Sequence, residues 1–233
     1  MIQDRSFPQF ADFREFSDFP QFVDFLKAQL ARPLPGQVAQ FQMAPLSGRQ
    51  PEMGSISAKT CREAAVLALF YPCSKGRPKL LLTERPEGMT QHAGQVAFPG
   101  GRRENNEELE QTALRETEEE VLIDRKTIQI CGQLTPLYVL PSDFCVYPFV
   151  GIVLDRHDMT IQTEEVAHVF GVRYRDLLDA EQRSVKVLSL LGKDRKVPHF
   201  TFGGRFVWGA TAMMLAELAA VLDPELLELQ TTL

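Results

Sequence analysis

The chain has 233 residues, 44% hydrophobic and 24% charged, with a formal net charge of −6. That balance suits one domain with a sizeable core and excludes a disordered or low-complexity chain. The net negative charge without a basic cluster speaks against nucleic acid or anionic membrane as a partner, no apolar run approaches the roughly 18 residues of a membrane span, and the N-terminus does not read as a signal peptide.

In chain order, the first feature is aromatic. Phe7, Phe10, Phe13, Phe16, Phe19, Phe22 and Phe25 recur at every third residue, and FPQFADF (7–13) returns as FPQFVDF (19–25). Pro8 and Pro20 divide the stretch, because proline removes a donor and tolerates only the first turn of a helix. The pattern predicts a helix over 19–30. Rings spaced this way either cover the domain's own core or form a docking surface for a second copy of the chain, a homodimer. Residues 32–60, with their Pro, Gly and Gln, predict an extended linker or wrap. The chain thus divides into an N-terminal extension, 1–60, and a main domain, 61–233.

Runs rich in Val, Leu, Ile and Phe predict strands near 63–71, 79–84, 95–98, 128–134, 146–154, 185–190 and 197–208. Between them, Asn105 as N-cap with Glu108 three residues on predicts a helix running to Val121. At about 100° per residue, Ala113, Leu114, Thr117 and Val121 share one quadrant, Glu116, Glu119 and Glu120 fall in the next, and Arg115 and Glu118 take the more exposed side. Carboxylates one turn apart repel. Three beside an apolar stripe call for a cation, and a hard divalent ion such as Mg²⁺ takes oxygen ligands while keeping its own waters. Ala210 to Leu222 predicts a second helix, stopped before Pro224.

Cys61, Cys73, Cys131 and Cys145 have neither zinc spacing nor a disulfide framework and read as reduced thiols of a cytoplasmic protein. His92, His157, His168 and His199 form no metal pattern.

The acidic stretch resembles the Nudix signature, G-x5-E-x7-R-E-U-x-E-E-x-G-U with U a bulky apolar residue. Gly101, Glu107, Arg115, Glu116, Glu119, Glu120 and Ile123 match it; Thr117 stands at the first U and Leu122 at the final glycine. Leucine is costly in the left-handed conformation that ends such a helix, so the expectation is a helix that ends differently, running on toward Asp124. Upstream, LLTERPEGMTQHAGQVAFPGG (Leu81 to Gly101) is similar to the additional motif of coenzyme A pyrophosphatases within that family. Leu81, Leu82, Thr83, Arg85, Gly94, Phe98, Pro99, Gly100 and Gly101 fit, while Pro86 and Thr90 depart from it. PLYVLPSDFCVYPFVG (136–151) and RFVWGATAMML (205–215) also look like this subgroup.

The resemblance implies an α/β fold, an α/β/α sandwich with a mixed β-sheet. It implies a hydrolase that uses Mg²⁺ or Mn²⁺ to cleave a diphosphate bond in coenzyme A or acyl-CoA. Glu116, Glu119 and Glu120 would hold the metal, Arg115 would orient a carboxylate, and Glu107 would support from behind. Arg85, Gly94, Pro99, Gly100 and Gly101 would contact the nucleotide-type substrate. A base comes in this family from the helix or from a later acidic loop, where Glu165 in Thr163-Glu164-Glu165-Val166 is preferred. Another nucleoside diphosphate derivative as substrate, and a non-catalytic ligand sensor, remain as alternatives.

Overall fold

A computed structural model of the chain describes residues 15–45, 60–88, 94–155, 166–190 and 192–228. Phe7, Phe10, Phe13, Thr90, His92, His157, Glu164 and Glu165 lie outside the described residues.

The centre of the molecule is strand β1, Arg62–Pro72. Its run AAVLALFY is apolar at every position, so both faces must be covered. Side chains alternate across a strand, and the alternation sorts the core into two clusters. Ala65, Leu67, Leu69 and Tyr71 face one cluster; Ala64, Ala68 and Phe70 face the other. Beside β1 runs β2, Pro78–Glu84, then β3, Val96–Ala97, while β4, Gly100–Arg102, pairs with β1. On the other side β1 pairs in parallel with β7, Phe144–Val153, flanked by β5, Ile128–Gln133, and β6, Leu137–Val139. Strand β8, His168–Arg173, joins β2. The remaining pairings are antiparallel, so the sheet is mixed, as expected.

One face is covered by α3, Leu109–Val121, whose Ala113, Leu114 and Val121 enter the first cluster. The other carries α1, Phe19–Leu30, and α5, Gly209–Leu222, together with a second sheet of β9, Arg183–Leu190, β10, Lys193–Phe202, and β11, Arg205–Trp208. This is an α/β/α sandwich.

Helix α1 has the bounds expected from sequence, with Pro20 in its first turn and the Asp18 carboxylate accepting from Gln21 N–H at 2.9 Å. Phe22 is fully buried among Phe16, Phe19, Phe70 and Tyr174. The described rings of the aromatic repeat therefore serve this chain's own core. Of the two readings of 32–60, the described residues wrap against the domain, but not in extended form: α2, Gln37–Gln40, and the 3-10 turn Phe41–Met43 bury Ala39, Gln40 and Met43 beside α5.

The single strand expected over 197–208 is two, split by Gly203 and Gly204, both at positive φ, in a two-residue turn between Phe202 and Arg205. Such a turn matches the twist of paired strands and needs glycine. The reduced state expected of all four cysteines is also corrected. Cys61 and Cys145 form a disulfide across 84 residues, with Cα atoms 5.7 Å apart, because the parallel register sets Glu63 opposite Cys145. Cys73 and Cys131 are free thiols. Among the described residues, no helix is long and apolar enough to cross a membrane.

Candidate active site

The acidic helix starts later and ends sooner than its sequence predicts. Asn105 sits at φ 49° in a turn, and α3 begins at Leu109 with Glu108 as N-cap. The Glu107 carboxylate holds the entry, accepting from Glu104 N–H and from the Thr112 hydroxyl, both at 3.0 Å. At the far end Leu122 takes the left-handed conformation itself, φ 55° and ψ 32°, and the helix stops at Val121. The expected continuation toward Asp124 is corrected: Leu122 N–H still donates to the Glu118 carbonyl at 3.0 Å, and the residue stays 52% exposed. Thr117 fits its apolar position by donating its hydroxyl to the Ala113 carbonyl at 2.7 Å.

Arg115, expected on the exposed side, is the hub. Its Nη1 donates to Glu116 at 2.9 Å and to Glu119 at 3.0 Å. Its Nη2 donates to Glu107 at 2.9 Å and to the Arg102 carbonyl at 3.2 Å, and its Nε reaches Glu107 at 3.3 Å. One planar guanidinium thus gathers three carboxylates and a strand end, which a point charge could not do. The Arg115 hydrogen bonds pull the Glu107 pKa down to about 2, against its burial, with help from Glu104 N–H and Thr112. The same contacts raise Arg115.

The glycines explain how the strand meets the helix. A Cβ on Gly101 would fall 2.4 Å from Glu116 Cδ and 2.5 Å from both its carboxylate oxygens. A Cβ on Gly100 would fall 2.4 Å from the Ala65 carbonyl oxygen. Pro99 places its carbonyl 2.9 Å from Leu67 N–H. The turn therefore lies against β1 on one side and the Glu116 carboxylate on the other. Gly94, at φ 65°, and Arg85, whose N–H donates to the Gln95 carbonyl at 3.0 Å, lie on the connection between β2 and β3.

The expected site residues thus fall into groups. Gly101, Glu107, Arg115, Glu116 and Glu119 meet. Glu120 is buried at 5% exposure while the Glu119 side chain is 55% exposed, so the three acids do not share one uniform face. Among the described residues, no three acidic, histidine or cysteine side chains converge enough to enclose a metal ion. Glu116 and Glu119 are nonetheless brought to a single nitrogen, and Mg²⁺ needs only one or two carboxylates, so the donor chemistry of this pair fits such an ion. Beside the first turn of α3 a groove of about 490 Å³ opens over Tyr147, Phe149 and Gln133. Glu108 and Glu110 on its rim make it unsuited to a diphosphate and better suited to an uncharged part of a ligand. Sequence reasoning missed Thr112 and the Glu63–Arg103 pair; no local pattern marks the latter, whose partners lie 40 residues apart.

The family model described as NUDIX domain matches residues 62–191. A protein from Yersinia enterocolitica named "Uncharacterized Nudix hydrolase NudL" is 35% identical over 193 residues, 82% of this chain and 94% of its own. A protein of the same name from Photorhabdus laumondii is 37% identical over 159 residues, 68% of this chain and 83% of its own. Among solved structures, a Nudix hydrolase from M. smegmatis, RenU, is similar over 74% of this chain and 87% of its own, with TM-score 0.46 and 16% identity. A MutT/nudix family protein from Enterococcus faecalis is similar over 93% and 81%, with TM-score 0.46 and 17% identity. The chain belongs to the Nudix family. As a Nudix hydrolase it acts on nucleoside diphosphate derivatives, small molecules, and its family generally uses divalent metal ions.

Proposed function

We propose that the protein hydrolyses the diphosphate bond of coenzyme A or an acyl-CoA, giving a phosphopantetheine and adenosine 3′,5′-bisphosphate. The observation that carries the substrate is the Leu81 to Gly101 motif. The departures at Pro86 and Thr90 favour, as the second reading, another nucleoside diphosphate derivative such as ADP-ribose, a nucleotide sugar or a dinucleotide.

Glu116, Glu119 and Glu120 are assigned to the metal. A bound Mg²⁺ or Mn²⁺ supplies charge neutralisation for the diphosphate oxygens and acidity for the attacking water. Arg115 holds Glu116 and Glu119 together before substrate arrives, and Glu107 anchors Arg115. The backbone of Pro99, Gly100 and Gly101 lets phosphate oxygens approach closely, with Arg85 and Gly94 contributing to substrate binding. Glu165 accepts the proton of the water. The reaction is assigned to the cytoplasm, where a reducing milieu would open the Cys61–Cys145 bond; the redox state of this pair in cells reports the compartment.

The test is competition between coenzyme A and ADP-ribose with Mg²⁺, products identified by mass. Coenzyme A turning over faster supports the proposal; much faster ADP-ribose turnover establishes the second reading. Glu119→Gln should lower kcat about 10²–10³-fold, as expected when transition-state charge loses a stabilising group, with an unchanged melting temperature. Near-wild-type rates in both Glu119→Gln and Glu120→Gln would sink the assignment of the acidic helix.

A further inference from the structure

Arg103 stands outside the acidic signature yet is joined to it. Its Nη1 donates to Glu63 Oε2 and its Nε to the Glu107 carbonyl, both at 2.6 Å. Its backbone N–H donates to the Glu63 carbonyl at 3.0 Å, just past the pairing of Ala64 with Arg102. Glu63 is thus held by Arg103 through both its carboxylate and its carbonyl. Arg115 grips the other side of the stretch, at the Arg102 carbonyl and the Glu107 carboxylate. The connection from β4 to α3 is therefore suspended between two guanidiniums. One reaches back to β1; the other reaches forward to Glu116 and Glu119.

We propose that Arg103, seated by Glu63, is a positioning residue for the hydrolytic reaction: it fixes Glu107 and, through Arg115, the spacing of Glu116 and Glu119. This rests on the metal-dependent reading of the acidic helix given above. Without Arg103 the Glu107 carbonyl loses its donor and the connection is held by Arg115 alone. Arg115 must then anchor a loose segment through Nη2 and Nε with the same guanidinium whose Nη1 gathers Glu116 and Glu119. A lysine at 103 can reach Glu63 or the carbonyl but cannot fork to both.

The experiment compares wild type, Arg103→Ala, Arg103→Lys, Glu63→Gln and the Glu63→Gln/Arg103→Ala pair in the full chain. Binding of Mn²⁺ is read by electron paramagnetic resonance, and kcat and KM on the preferred diphosphate substrate are measured with thermal melts alongside. Arg103→Ala should weaken Mn²⁺ binding by about 10–100-fold, the usual cost of losing a group that orients a metal's ligands. It should lower kcat by a similar factor with KM within about twofold. Arg103→Lys should recover part of both losses. Glu63→Gln should shift both in the same direction by less, and the double variant should match Arg103→Ala. Unchanged Mn²⁺ binding and kcat in Arg103→Ala overturns the proposal. So does a loss that tracks only a lowered melting temperature and is not relieved by lysine. A wild-type chain that binds Mn²⁺ but cleaves no diphosphate would refute the substrate reading, while the Mn²⁺ series would still decide the role of Arg103.

Discussion

Two carboxylates on opposite faces of the sheet, Glu217 and Glu107, show how differently one residue type behaves when its donors change. Glu217 on α5 is fully buried. It accepts from the Thr135 N–H at 3.1 and 3.2 Å and from Gln40 Nε2 at 2.8 Å. Burial pushes its pKa up, and these neutral donors only oppose the shift. Glu107 is partly open to water and faces a guanidinium, so its pKa falls to about 2. Desolvation wins where no cation is present, and charge wins where one is. The first carboxylate ties α2 and the β5–β6 connection to the core. The second is wired through Arg115 to Glu116 and Glu119 on the acidic helix.

Removing the buried acid gives the largest expected change. Glu217→Ala leaves the Thr135 N–H without its acceptor and opens a cavity in α5 packing. It should cost about 2–4 kcal/mol, lowering the melting temperature by roughly 5–15 °C, with kcat at 25 °C within a few-fold. A melting temperature unchanged from wild type would show that the network is not holding the N-terminal segment.

Glu107→Gln sharpens the contrast through pH. Because its folded pKa lies below the ordinary carboxylate value of about 4.3, ionised Glu107 stabilises the fold above that pH, and the contribution is lost as pH falls toward 2. Wild type should exceed the variant by about 1.5 kcal/mol at neutral pH, the low end for hydrogen bonds to a charged group, because Glu107 is partly open to water. The gap should close between about pH 4.5 and 2 in urea unfolding. A gap that persists at pH 2 would mean that charge is not its source.

The smallest effect is expected at the end of α3. Leu122→Gly relieves the left-handed leucine at φ 55° and should stabilise by about 0.5–1 kcal/mol, read as a higher urea midpoint. A destabilised variant would show that the half-exposed Leu122 side chain makes contacts outweighing the backbone strain.

Local chemistry was enough for the elements whose own residues specify them. Helix α1 follows from aromatic spacing and Pro20, β1 from its unbroken apolar run, and α5 from an apolar segment stopped by Pro224. The acidic pattern from Gly101 to Ile123 exposed the family because metal and phosphate chemistry constrains residue type and spacing together. The Gly203–Gly204 turn was also legible, since paired glycines are a hairpin signal, yet the apolar run on either side concealed it. Other features had no local signature. Strand β8 is a strand because β2 offers it a partner, and Cys61 meets Cys145 because β1 and β7 align in parallel. Arg115 turned inward because α3 starts only at Leu109, which leaves Glu107, inside the helix that Asn105 had suggested, two residues before the helix and within reach. The sequence by itself determined the family, through the residue types and spacing of the acidic stretch; the tertiary structure decided which guanidinium holds which carboxylate, because ion-pair geometry depends on backbone placement across segments that no short window of sequence contains.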